Sequence, residues 1–305
     1  MYTQGDPRSS LSSASAAPSD PRLSGFAGTE YLHWNKTPPD SIEDGVRTWW
    51  ARGQTFIICY SVADAGGLLS RDQQPDEYVA LFPDDVTAAE LVGDGHGQRN
   101  CTGACLAVLP PGRTQIRLPQ GGRVVRLFTS RSTDLIERCS NVDSYRTPHP
   151  DVRPFESWPE PNDGLGIRVY SFDVPPEPGR FGRIWRCSTF MVNVLDPVDG
   201  RRDPTKMSPH HHDDFEQCSL AVAGAFRHHV RWPWIPDMTK WRPDEHELCE
   251  SPSAAIIPPP SIHTSEAWSL GRNFLIDIFC PPRVDFSERP GWVLNASEYP
   301  MRSKE

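Results

Sequence analysis

Short apolar runs of five to eight residues, bounded by turn residues, dominate the hydrophobic pattern of this chain. In the first half they are FIICYSVA (56–63), EYVALF (77–82), ACLAVLP (104–110) and RVVRLFTS (123–130). In the second half IRVYSFDV (167–174), RIWRCSTFMVNVL (183–195), CSLAVAGAFRHHVRW (218–232), SAAIIP (253–258) and FLIDIFC (274–280) behave alike. Runs of this length and spacing predict β-strands rather than helices. Helical periodicity is weak; one modest candidate spans Asp84–Leu91. Many short strands at regular spacing predict an all-β sandwich or barrel.

Proline strengthens that expectation. The chain has 32 prolines in 305 residues, about twice the usual share of roughly 5%, and proline breaks helix interiors and central strands. Two Pro-rich, polar stretches divide the chain. Residues 1–24 are poor in apolar surface and read as a disordered tail. Residues 151–165 read as a linker. The expected organisation is therefore a first module at 25–150, a second at 166–290 and a C-terminal tail at 291–305. The two modules echo each other: LAVLPPGRTQ (106–115) matches AAIIPPPSIH (254–263), placing Gln115 opposite His263. An internal duplication follows.

Charge and cysteine usage narrow the function classes. With 31 basic and 40 acidic residues, net −9, the chain is a poor partner for nucleic acid or an anionic membrane surface. No apolar run approaches the roughly 20 residues that cross a bilayer. The eight cysteines lack metal or redox spacing and read as buried free thiols in a reducing, cytoplasmic setting.

The chemistry concentrates in SPHHHDDFEQCSLAVAG (208–224). In an extended chain alternate residues share a face, so His210 and His212 point together and His211 points away. Two imidazoles so placed make half of a metal site. The PPPSIH turn offers His263. Both Glu216 and Gln217 stand at the head of the following strand. By parity Gln217 shares a face with Ser219, Ala221 and Ala223, which leaves room for a ligand. Glu216 shares one with Cys218, Leu220 and Val222, where a charge fits badly.

These residues resemble the two-part motif of the cupins: His210-x-His212, an acid or amide, a strand closing on Gly224, then Pro258 followed by His263. The motif has departures, with Pro260 for the usual glycine and Ala267 for the usual asparagine. The resemblance implies two jelly-roll (cupin) β-sandwich modules, the first without metal. It implies one divalent ion (Zn, Mn or Fe) in the second, held by His210, His212, Gln217 and His263; the family's six-residue spacing to Gly224 favours Gln217 over Glu216. LIDIFCPPRVDF (275–286) resembles the closing segment of cupins acting on unsaturated uronates. The two-module layout resembles the bicupin sugar-acid isomerases.

The activity so implied is isomerisation or lysis of a sugar acid or keto acid through a metal-stabilised enediolate. An Fe(II) dioxygenase and a non-catalytic ligand-binding module are the alternatives. A small anionic substrate is the expected partner, and a homodimer is compatible. Arg227, His229 and Arg231 share a face of the strand after Gly224 and read as substrate contacts or as a solvated outer face. Glu216, His229 and Glu266 are candidates for the general base. Asp277, alone in an apolar strand, needs a partner. Arg283 is one choice, and orienting a metal ligand is its sharper role. Asp244-Glu245-His246-Glu247 falls in a predicted hairpin loop and reads as solvated.

Overall fold

The computed structural model describes residues 26–302; the disordered-tail reading of 1–24 lies outside them. The first half contributes β1 (Glu30–Leu32), β2 (Ser41–Glu43), β3 (Val46–Arg52), β4 (Phe56–Ala63), β5 (Gly67–Gln74), β6 (Tyr78–Phe82), β7 (Ala88–Gly93), β8 (Gly97–Thr102), β9 (Cys105–Leu109), β10 (Gly112–Leu118) and β11 (Gly122–Thr129). The second contributes β12 (Arg168–Ser171), β13 (Arg183–Arg186), β14 (Met191–Val194), β15 (Val198–Asp199), β16 (Gln217–Ala223), β17 (Ala225–Arg231), β18 (Glu245–Glu250), β19 (Ser253–Ile257), β20 (Ile262–Ala267) and β21 (Arg272–Phe279). A single helical turn, α1 (Val284–Ser287), follows.

Two antiparallel sandwiches result. In the first, the sheet β12-β9-β6-β11-β4-β3-β2 faces β5-β10-β7-β8. In the second, β1-β19-β16-β21-β14-β13 faces β18-β17-β20. This is the all-β, twin jelly-roll architecture that the strand pattern implies. The halves also exchange edges. Strand β1, from the start of the first half, pairs with β19, and β12, from the second half, pairs with β9.

The apolar runs read continuously because the two large sheets are buried on both faces. On β6, Val79 and Leu81 join Cys218, Leu220, Ile276 and Ile278 in one core between the sandwiches. The alternate residues Tyr78, Ala80 and Phe82 point into the first sandwich, which they fill with Ile57, Leu91, Ile116 and Phe128. Each such Leu or Ile contributes about 1.5–3 kcal/mol on burial. On β16 the parity is the same, but the inward residues are Gln217, Ser219 and Ala221. The second interior is therefore polar and only partly filled.

Glycine is required where the chain steps between sheets. Gly224, between β16 and β17, has φ +75°, and a Cβ there would lie 2.5 Å from the Arg272 carbonyl oxygen. That is a left-handed conformation with no room for a side chain.

Several expectations change. The helix expected at 84–91 does not form: residues 84–87 are a turn, and from Ala88 the chain is the strand Ala88–Gly93, which pairs with β8 and β10. Residues 244–247 are not a hairpin loop, since β18 begins at Glu245 and pairs with β17. Residues 291–302 are no loose tail; Trp292, Val293, Asn295 and Tyr299 are buried. In the duplicated turn, the inward residue is Thr114 rather than Gln115, which is exposed. The second copy's turn has Pro260 where the first has Gly112, and its inward residue, His263, falls one position later. All eight cysteines are free and buried, as expected.

Candidate metal centre

His210 and His263 meet across a two-residue bridge, His210 N–H to the His263 carbonyl at 3.0 Å and His263 N–H to the His210 carbonyl at 2.7 Å. The bridge ties the segment before β16 to β20 and sets the two rings 4.5 Å apart. His212 lies 5.1 and 5.2 Å from them, centroid to centroid. All three are buried, and one nitrogen of each lies within 4.8 Å of the others.

The ring orientations are set locally. His210 Nδ1 faces the Ser208 carbonyl at 3.0 Å, and His263 Nδ1 faces the Ser261 carbonyl at 3.2 Å. Each carbonyl can accept only from an N–H, so each ring donates from Nδ1 and turns Nε2 away from that carbonyl. His212 stacks on Phe215 at 4.5 Å, with Phe279 edge-on at 6.0 Å. Burial, then the Arg283 guanidinium and the neighbouring imidazoles, hold its pKa well below the ordinary histidine value. It is therefore neutral, as a metal ligand must be.

Gln217 completes the set. Its Oε1 lies 2.9 Å from His212 Nε2. Its amide nitrogen donates to Ser219 Oγ at 3.0 Å and to Asp277 Oδ1 at 3.2 Å, and Ser219 Oγ donates to the same Asp277 oxygen at 2.8 Å. This chain fixes the amide with its oxygen toward the histidines. Donors about 2.1 Å from a first-row ion at right angles lie about 3.0 Å apart, so the His212–Gln217 spacing suits a shared cation. Three imidazoles and one amide, buried together, fit a divalent transition ion.

Glu216 goes the other way. Its Oε2 accepts the Gln54 N–H of the first sandwich at 2.6 Å, and its Oε1 lies 3.4 Å from His149 Nδ1. A Cβ on Gly53 would come within 2.6 Å of that carboxylate, so only glycine permits the approach. The carboxylate is an inter-sandwich contact.

Arg227, His229 and Arg231 of β17 are not brought to the histidines. Phe226, His228 and Val230 pair with Ala267, Ser265 and His263 and share their inward face. Arg227, His229 and Arg231 therefore face out. Arg227 lies over Trp268 at 3.5 Å, and Arg231 pairs with Asp244 at 2.5 Å. His229 lies 3.3 Å from Glu266, so neither of these two base candidates enters the interior. Arg283 pairs with Asp285 at 2.5 Å and lies over Phe286 at 3.7 Å, in place of the Asp277 pairing. Asp277 instead bonds the amide of a candidate ligand.

The histidines open onto a cavity of about 820 Å³ lined by His210, Gln217, His263, Phe226 and Asp277. Arg201, Arg202 and Lys206, at its rim, were not anticipated. The signal was the RRDPTK run directly before the histidines. Arg202 is anchored by hydrogen bonds to the Lys206 and Ser265 carbonyls.

No family model and no curated protein matches this chain. Solved structures do. AerE from Microcystis aeruginosa aligns over 85% of this chain and 99% of its own, with 12% identity and a TM-score of 0.54. The oxalate decarboxylase of Lactobacillus farciminis, in a formate complex, aligns over 85% and 88%, with 13% identity and a TM-score of 0.56. The fold is the cupin fold. Within it, the polar cluster occupies the interior of the second cupin barrel. The first cupin barrel has no such cluster among the described residues.

Proposed function

We propose that the second barrel is the metal-dependent active site of an enzyme acting on a small organic acid by isomerisation or a lyase step. His210, His212, Gln217 and His263 would hold the ion, with Zn, Mn or Fe all compatible with the donor set. The observation that carries this reading is the convergence of three buried imidazoles and an oriented amide beside an open cavity. Bound there, a divalent cation supplies a Lewis acid that polarises a substrate oxygen.

The chain's own residues do the rest. The Ser208 and Ser261 carbonyls and the Asp277–Gln217 chain preset the donor directions, so little reorganisation accompanies binding. Asp277, the carboxylate beside the ligand set, replaces Glu216, His229 and Glu266 as the candidate to take a substrate proton. Arg201, Arg202 and Lys206 give the rim a basic side suited to a carboxylate. The fold shared with an oxalate decarboxylase supports lyase chemistry on a small acid within such a barrel.

The test is anaerobic incubation of the metal-loaded, untagged chain with uronates, 2-keto acids and dicarboxylates, followed by NMR. Turnover without oxygen, lost in His263→Ala, is the expected result. Turnover only with oxygen consumption would replace the reading with a dioxygenase. Binding of an acid without turnover would leave a ligand-binding module.

A further inference from the structure

A second histidine cluster lies on the outer face of the small sheet β18-β17-β20. His229 and His246 are directly opposed across the β17–β18 ladder. Directly opposed residues bring their Cβ atoms to about 5 Å, which suits two side chains gripping one atom. Their Nδ1 atoms face each other at 2.7 Å, while His229 Nε2 faces Glu266 Oε2 at 3.3 Å. The two rings look into a groove of about 410 Å³ whose wall also includes Met207, Pro209 and Asp244.

The carboxylate decides the tautomer. Glu266 accepts the proton of His229 Nε2, which leaves the His229 Nδ1 lone pair to accept from His246 Nδ1–H, a proton that a shared cation would displace. A carboxylate on the far nitrogen is the support that metal-ligating histidines carry, and the second imidazole brings a second nitrogen donor to the same point. The Nδ1 separation is a few tenths of an ångström short of the roughly 3.0 Å between neighbouring donors on a first-row ion. His246 is exposed on the sheet surface, so its ring can shift by that amount.

We propose that His229 and His246 form a second, surface site for an imidazole-preferring divalent cation such as Zn²⁺ or Cu²⁺, with Glu266 orienting His229. The ion's other positions face the groove. The site lies outside the second barrel and does not depend on the proposal made for its interior.

The test uses untagged full-length chain dialysed against excess zinc, with bound metal read by mass spectrometry. In a His263→Ala background, which removes the interior site, about one zinc per chain is expected, falling to none when His246→Ala is added. Glu266→Gln is expected to weaken that zinc roughly 10-fold with the fold unchanged by circular dichroism. Equal zinc content with and without His246 would overturn the site. Unchanged affinity in Glu266→Gln would overturn the orienting role. If the interior of the barrel binds nothing, the wild type holds one zinc instead of two, and His246→Ala still removes it.

Discussion

The two barrels can be compared position by position, because their central strands share a register. Tyr78 pairs with Leu109 as Gln217 pairs with Ile257. Two residues further on, Ala80 pairs with Arg126 as Ser219 pairs with Asp277. The second barrel thus places an amide, a hydroxyl and a carboxylate where the first places a phenol, a methyl and a guanidinium. Thr114, on the strand corresponding to that of His263, donates to or accepts from Tyr78 Oη at 2.9 Å, so these polar groups satisfy each other. Arg126 lies 5.5 Å from both Trp50 and Phe128. One scaffold holds a packed core in one copy and a set of converging donors in the other. The difference lies in a handful of inward positions.

The outward positions teach the opposite lesson, since both copies keep the same device. Glu77 and Glu216 each immediately precede the inward residue of the central strand, and each crosses to the other barrel. Glu77 accepts from the Ser188 N–H and hydroxyl and from Tyr299 Oη. Glu216 accepts from the Gln54 N–H. The interface is thus duplicated where the interiors have diverged.

The largest expected effect breaks that shared device. Glu77→Ala leaves three buried donors without their acceptor and is expected to cost about 3 kcal/mol, read by denaturant unfolding, with metal content unchanged. Next comes acid stability. His228, inside the second barrel, has its pKa pushed down to about 3 by burial first and by neighbouring histidines second. The folded pKa is depressed, so the unfolded chain binds the proton more readily. Stability is therefore intact above about pH 6.5 and falls with decreasing pH toward pH 3, by about 2 kcal/mol for this group at pH 5. His228→Phe is expected to flatten that slope, as measured by unfolding at pH 7 and pH 5.

A smaller effect tests the amide's support. Asp277→Asn is expected to weaken metal binding about 10-fold, measured by competition with a chelating dye, while leaving secondary structure intact. The smallest is its counterpart in the first barrel. Arg126→Met exchanges a buried cation for a thioether of similar length and is expected to shift stability by less than about 1 kcal/mol, with no change in bound metal. A loss of metal there would break the distinction between the barrels.

The fold was legible because its strands are buried on both faces. FIICYSVA, EYVALF and RVVRLFTS carry apolar residues at both parities, and β4, β6 and β11 lie where those runs predict. His210, His212, Gln217 and His263 were legible as a set from strand parity and from the resemblance, and the structure brings them together. One feature escaped, and another stayed open between two readings. Ala88 to Gly93 has helix-forming alanines and a glutamate, but pairing on both edges overrides that local preference. On β17 both faces carry histidine and neither is wholly apolar. Phe226 and Val230 were the signal that their face points inward, which leaves Arg227, His229 and Arg231 outside.

Metal content of the untagged chain as isolated tests the central claim most directly, with wild type, His263→Ala and His246→Ala measured side by side by mass spectrometry. About one tightly held divalent ion per chain, lost in His263→Ala and kept in His246→Ala, is the expected result. Equal metal content in wild type and His263→Ala, or a His246→Ala chain that takes up none even after reconstitution, would contradict a metal centre in the second barrel.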